Sequence, residues 1–190
     1  ALPPGWQVRP VDDSDPPSAG VVRDPGFGPV LRFEARGQAA FFWRELENPL
    51  EPGPGLLRWV WRVDQSIPSA HLRVPDRDDA PARVFVMFGS GSLFTPPRTI
   101  FYSWGGQDSI GASWSHDGDE RTHVVVARNG RSPTRRWLRE ERSLFHDYRA
   151  AFGGDPEPVT AVGFMIDTDA TGHHAASLVG PMEWHPGDAR

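Results

Sequence analysis

The 190 residues carry a net charge of −5 and a pI near 5.8, and every basic residue is Arg; with no basic patch to neutralise phosphates, neither nucleic acid nor anionic lipid is an expected partner. Gly and Pro number 20 each, yet 38% of the chain is hydrophobic with 8 Trp and 11 Phe, which excludes a disordered chain and points to many turns between short strands. The absence of cysteine rules out disulfides, thiolate metal sites and a Cys nucleophile, and no apolar run is long enough for a membrane-spanning helix.

In chain order, Trp6 to Arg9 alternates as a short edge strand, and V-D-D-S-D-P-P after it reads as a loop. Val30 to Ala35 and Ala39 to Leu46 are strands whose separation by Arg36-Gly37-Gln38 predicts a hairpin. After a long turn at 48–55, Leu56 to Asp64 alternates with period two and places Leu57, Trp59, Trp61 and Val63 on one face. The stretch Asp76 to Phe88 is an acidic turn entering a strand that is apolar on both faces, so a central strand covered on two sides is expected.

Thr99 to Trp104 is the next strand, and 105–120 is a Gly-, Ser- and Asp-rich loop long enough to be a binding loop. His123 to Ala127 is an apolar strand; with the turn signal Asn129-Gly130 and the alternating Trp137 to Arg142 it predicts a second hairpin. One helix is expected over Ser143 to Phe152, with Ser143 as cap and Gly153-Gly154 as stop. Val159 to Ile166 and Ala175 to Trp184 complete the strands, and a polar tail follows.

About ten strands, one short helix and no βαβ alternation predict an all-β fold: a single domain over residues 1–190, built as an antiparallel β-sandwich of jelly-roll, galactose-binding-like type. The first residue is Ala rather than Met, which leads us to expect an exported protein, periplasmic or secreted.

Three groups of residues can carry function. Asp78, Asp79 and Arg83 place carboxylates and a guanidinium at the end of a central strand, where they would pair bidentately and either orient a sugar hydroxyl or tie a loop to the sheet. Asp167 and Asp169, with Thr168 and Thr171 in D-T-D-A-T-G, follow an apolar strand; their oxygens suit calcium, although the spacing is not that of a complete calcium loop and a turn bonding its own amides accounts for the same residues. No metal ligand or cofactor is assigned on this pattern. Trp104 and Trp114 bracket the long loop, where an exposed indole would stack on a sugar ring. The expected ligand-binding set is therefore Asp78, Asp79, Arg83, Trp104, Trp114, Asp167, Asp169 and Thr171. It forms one site only if the 78–83 and 167–171 segments meet.

The blocks L-R-W-V-W-R-V-D at 57–64, D-D-A-P-A-R-V-F-V at 78–86, F-H-D-Y-R-A-A-F-G at 145–153 and G-F-M-I-D-T-D-A-T-G at 163–172 resemble the bacterial family known as domain of unknown function 3047. The resemblance implies a bacterial, often exported protein and carries no activity with it. Where the family has Asn after D-T-D, this chain has Ala170. The leading expectation is a carbohydrate-binding-like module with a glycan ligand; the alternatives are a polysaccharide-active hydrolase or lyase using these Asp residues with Arg83, and a structural or protein-interaction domain. Oligomeric state is not legible.

Overall fold

The computed structural model describes residues 1–91, 96–116 and 118–187; Asp117 of the expected loop and residues 188–190 of the tail lie outside them. Two sheets form a sandwich, as the strand pattern predicts. The seven-stranded sheet runs in the order β1 (Trp6–Pro10), β4 (Ala39–Leu50), β11 (Val159–Asp167), β6 (Ala80–Phe88), β7 (Arg98–Trp104), β9 (Asp119–Arg128), β8 (Ser113–His116). The five-stranded sheet runs β10 (Leu138–Arg142), β5 (Leu56–Gln65), β12 (His174–His185), β3 (Gly28–Arg36), β2 (Ser18–Asp24). The expected central strand, β6, is the middle strand of the larger sheet.

Period-two alternation makes the core. Leu57, Trp59, Trp61 and Val63 of β5 all face inward and are buried, meeting Ala82, Val84, Val86 and Phe88 of β6 and the inner residues of β7 and β11. Aromatic pairs stitch the two sheets together: Phe33 stacks on Phe164 at 4.1 Å between ring centres, Trp61 meets Trp104 at 5.5 Å, and Trp59 meets Tyr102 at 5.2 Å. The helix α1 (Leu144–Phe152) forms where its caps predict: the Ser143 side chain accepts from the His146 amide, and Gly153, at φ 71°, ends it. Its Tyr148 packs on Phe88 at one end of the core.

Several connections differ from the expectation. The segments 30–35 and 39–46 are not a hairpin: β3 lies in one sheet and β4 in the other, and Gly37, at φ 66°, turns the chain across the sandwich. The second expected hairpin fails in the same way, because β9 pairs with β7 and β8 whereas β10 pairs with β5 in the opposite sheet. The 105–120 segment is not one loop; it contains β8, an edge strand, and the start of β9. That excursion leaves β7 and β9 parallel, a departure from a wholly antiparallel sandwich. Strand β2 was not expected, since as a sheet edge with exposed Val21 and Val22 it lacks the buried face that sequence alternation reports.

Candidate functional site

Antiparallel pairing of β6 with β11 sets the start of one strand beside the end of the other: Met165 opposes Arg83 and Asp167 opposes Ala80. A short 3₁₀ turn, Pro75–Arg77, delivers Asp78 and Asp79 to that junction. The 78–83 and 167–171 segments therefore meet.

Asp79 is fully buried and organises the turn that follows β11. Its Oδ1 accepts from the Ala170 amide at 3.0 Å, and its Oδ2 accepts from the Thr171 amide at 3.0 Å and from the Thr171 hydroxyl. Thr168 anchors the same turn to the β3–β4 corner: its hydroxyl donates to the Gln38 carbonyl at 2.8 Å while the Gln38 amide donates back at 3.0 Å. The amides of Ala170 and Thr171 thus bond a carboxylate from another segment, while the Thr171 hydroxyl accepts from the His173 amide at 3.4 Å.

Arg83 pairs differently from the expectation. Its guanidinium bonds the Asp78 backbone carbonyl and meets Asp167 Oδ2 at 3.2 Å, not the Asp78 and Asp79 carboxylates. Asp167 is 5% exposed, and its Oδ1 has no hydrogen-bond partner among the described residues. Arg83 Nε and the hydroxyl of Ser103, which lies opposite Arg83 on β7, are likewise buried without partners among the described residues. Three unsatisfied polar groups thus converge on this junction. Burial pushes the Asp167 carboxyl up to about 7 against the pull of Arg83, with Asp169, Asp79 and Asp78 adding to the rise. Asp78, half-buried, is raised chiefly by desolvation, partly offset by Arg83. Asp169 is exposed.

The two tryptophans separate. Trp104 is fully buried between Trp61 and the rest of the core, so it offers no stacking platform, and its place in the expected site is corrected. Trp114, on edge strand β8, is half-buried under the guanidinium of Arg73, 5.2 Å from the ring centre.

The outward face of the seven-stranded sheet holds what the sequence reading missed. The expectation of a strand covered on two sides holds for Phe85, which is buried, but its cover comes from neighbours in its own sheet. Phe85 packs with Ala39, Met165 and the half-buried Phe41, Trp43, Met87 and Phe101. Phe41, Phe85 and Phe101 form an aromatic triangle with centres 5.3 to 6.3 Å apart, and Arg9 lies over Phe41. Arg83 joins this face to the acidic junction, with Nη1 3.9 Å from Met165 Sδ. The signal was present: β4, β6 and β7 each carry aromatic residues in both alternation phases. A separate concavity of ≈ 520 Å³ is lined by Pro16, Glu34, Arg36, Gln38 and His174, and none of the expected ligand residues lines it.

The sequence matches the family described as protein of unknown function (DUF3047) across residues 4–183. The chain belongs to that family. No curated protein matches it. Among solved structures, the family 11 carbohydrate-binding module from Clostridium thermocellum, in complex with a β-1,3-1,4-mixed-linked tetrasaccharide, aligns with TM-score 0.55 at 10% identity over 98% of this chain and 91% of that one. A family 30 carbohydrate-binding module of a Clostridium thermocellum cellulosomal cellulase aligns with TM-score 0.53 at 12% identity over 95% and 87%. The enzymatically active domain of bacteriophage CBA120 tailspike protein 4 aligns with TM-score 0.50 at 9% identity; the match covers 96% of this chain but 19% of the tailspike. At such identities the likeness is one of fold: the DUF3047 chain is a β-sandwich of the kind carbohydrate-binding modules use. Among its described residues no helix is long and apolar enough to cross a membrane.

Proposed function

We propose that this DUF3047 protein is an exported, carbohydrate-binding-like module that docks a glycan on the outward face of its seven-stranded sheet. The observation that carries the reading is that face itself: Phe41, Trp43, Met87 and Phe101 remain half-buried around Phe85, and a guanidinium and carboxylates stand at one end. Sugar rings present apolar faces that stack on aromatic side chains and hydroxyls that need charged or polar partners, so one continuous surface serves both needs. In this arrangement Trp43 and Phe101 stack, Arg83, Asp78 and Asp169 meet hydroxyls, and Trp114 extends the platform. Asp79 and Thr171 hold the turn in place, and Asp167 orients Arg83.

The test is affinity electrophoresis and calorimetry against a polysaccharide panel, with Trp43→Ala and Phe101→Ala beside the natural sequence. Each substitution is expected to weaken binding at least about tenfold, the range of a lost aromatic anchor. Silence across the panel, or undiminished affinity in both variants, sinks the reading. Release of reducing or unsaturated ends in the same incubations, lost in Asp167→Asn with the fold retained, would assign the protein instead to polysaccharide cleavage through the acidic junction.

A further inference from the structure

The acidic junction is built for more than orienting Arg83. Asp79, Asp167 and Asp169 each bring a carboxylate oxygen to one place, and these oxygens lie within 4.8 Å of one another. Oxygens bound to a single calcium at 2.3–2.6 Å stand at most about 4.6–5.2 Å apart, whereas a single magnesium at 2.0–2.1 Å limits them to about 4.2 Å. Oxygens gathered within that limit can share one calcium, whose larger shell also tolerates irregular placement.

Acidic residues gather at many surfaces without an ion, so the deciding observation concerns one atom. Asp167 is 5% exposed, its Oδ2 is engaged by Arg83, and its Oδ1 is sealed from solvent with no hydrogen-bond donor among the described residues. A buried carboxylate oxygen with no partner is costly, and native interiors rarely leave one so. Four carboxylates, those of Asp78, Asp79, Asp167 and Asp169, face one guanidinium, that of Arg83, so the junction carries more negative charge than its own cation balances.

The remaining geometry fits the same ion. Asp79 is held rigidly by the amides of Ala170 and Thr171 and by the Thr171 hydroxyl; Oδ2 accepts two of these bonds, and Oδ1, which accepts one, keeps a second lone pair for a metal. Asp169 is exposed and Asp78 half-buried, so solvent reaches the cluster from one side and can complete the six to eight ligands calcium takes. We propose that Asp79, Asp167 and Asp169 form a calcium site that clamps the start of β6 to the turn after β11. It stands whether or not a glycan binds on the aromatic face.

The experiment is calorimetric titration of the EGTA-dialysed full chain with calcium chloride, paired with terbium luminescence and melting curves with and without calcium. The expected result is one saturable site, a higher Tm in calcium that EGTA reverses, and at least tenfold weaker binding in Asp169→Asn, whose exposed side chain leaves the fold intact. Asp167→Asn should lose binding too, with circular dichroism unchanged, whereas Asp155→Asn, a solvent-exposed acid elsewhere, should bind as the natural chain does. Absence of calcium heat or Tm shift up to about 10 mM, tenfold above the weakest extracellular calcium modules, would overturn the proposal. So would equal affinity in Asp169→Asn, or a magnesium affinity equal to that for calcium.

Discussion

Asp167 shows how one buried carboxyl couples fold to solvent. In the folded chain it titrates near 7, because burial disfavours its charge, Arg83 only partly compensates, and Asp169, Asp79 and Asp78 repel it; in the unfolded chain it titrates near 3.9. Below about pH 4 the group is protonated in both states and contributes nothing. Between about pH 4 and 7 the folded form holds a proton that the unfolded form has released, so stability falls as pH rises through this window. Above about pH 7 the full cost is present, on the order of 4 kcal/mol from a displacement of about three pH units at about 1.4 kcal/mol each. In EGTA, urea unfolding of the natural chain and of Asp167→Asn should therefore diverge with pH: the variant gains relative stability from pH 5 to pH 8. A difference that stays flat over that range would mean that Asp167 is not carried as a buried, poorly compensated acid.

At the scale of the element, β11 decides how closely the aromatic face packs. Gly163 lies opposite Phe85, and a Cβ there would stand 2.3 Å from Phe85 Cζ and 2.5 Å from the Phe42 carbonyl oxygen. The ring could swing away, but the carbonyl is main chain and cannot. Gly163→Ala should cost about 1–3 kcal/mol by overpacking, read as a lower urea midpoint with an unchanged slope. Gly53→Ala, with nothing among the described residues within 4 Å of the added methyl, should stay within about 0.5 kcal/mol. Equal stability of both variants would show that the sheet yields at Gly163. The strands themselves were legible because burial on one face writes alternation into the sequence: Leu57, Trp59, Trp61 and Val63 of β5 were grouped on one face, the one that proves to be buried, and the caps of α1 were read directly. Partners were not legible. Gly37 and Asn129-Gly130 announce turns, but a turn residue fixes local φ and ψ without saying whether the chain returns to the same sheet or crosses to the other. The acidic junction was legible as two separate strand ends. Its closure depends on the pairing of β6 with β11, a contact between residues far apart in sequence.

The whole molecule separates its aromatic residues into a stabilising set and an accessible set, and sequence alone did not tell them apart. Trp104 and Trp114 flank the same Gly-rich segment, yet Trp104 points inward to Trp61 and joins the two sheets, while Trp114 points outward beneath Arg73. The alternation of β7 held the clue: Ile100, Tyr102 and Trp104 share the inner phase, and Phe101 has the outer one. A substitution in each set should have opposite signatures. Trp104→Ala removes a large side chain from the inter-sheet core and should cost about 3–5 kcal/mol, a large share of the 5–15 kcal/mol that holds a domain folded. Trp104→Phe keeps a ring and should stay folded with a lower Tm, and its folded molecules should bind glycan with undiminished affinity. Trp43→Ala, on the half-exposed face, should change Tm little and lose the affinity instead, since its outer edge already meets water. Melting curves and affinity electrophoresis on the same two preparations test this separation. If Trp104→Phe loses as much affinity as Trp43→Ala while keeping its Tm, the glycan site lies at the core end of β7 rather than on the outward face. A Tm loss confined to Trp104→Phe with an affinity loss confined to Trp43→Ala would place binding on a surface that the core supports without sharing its residues.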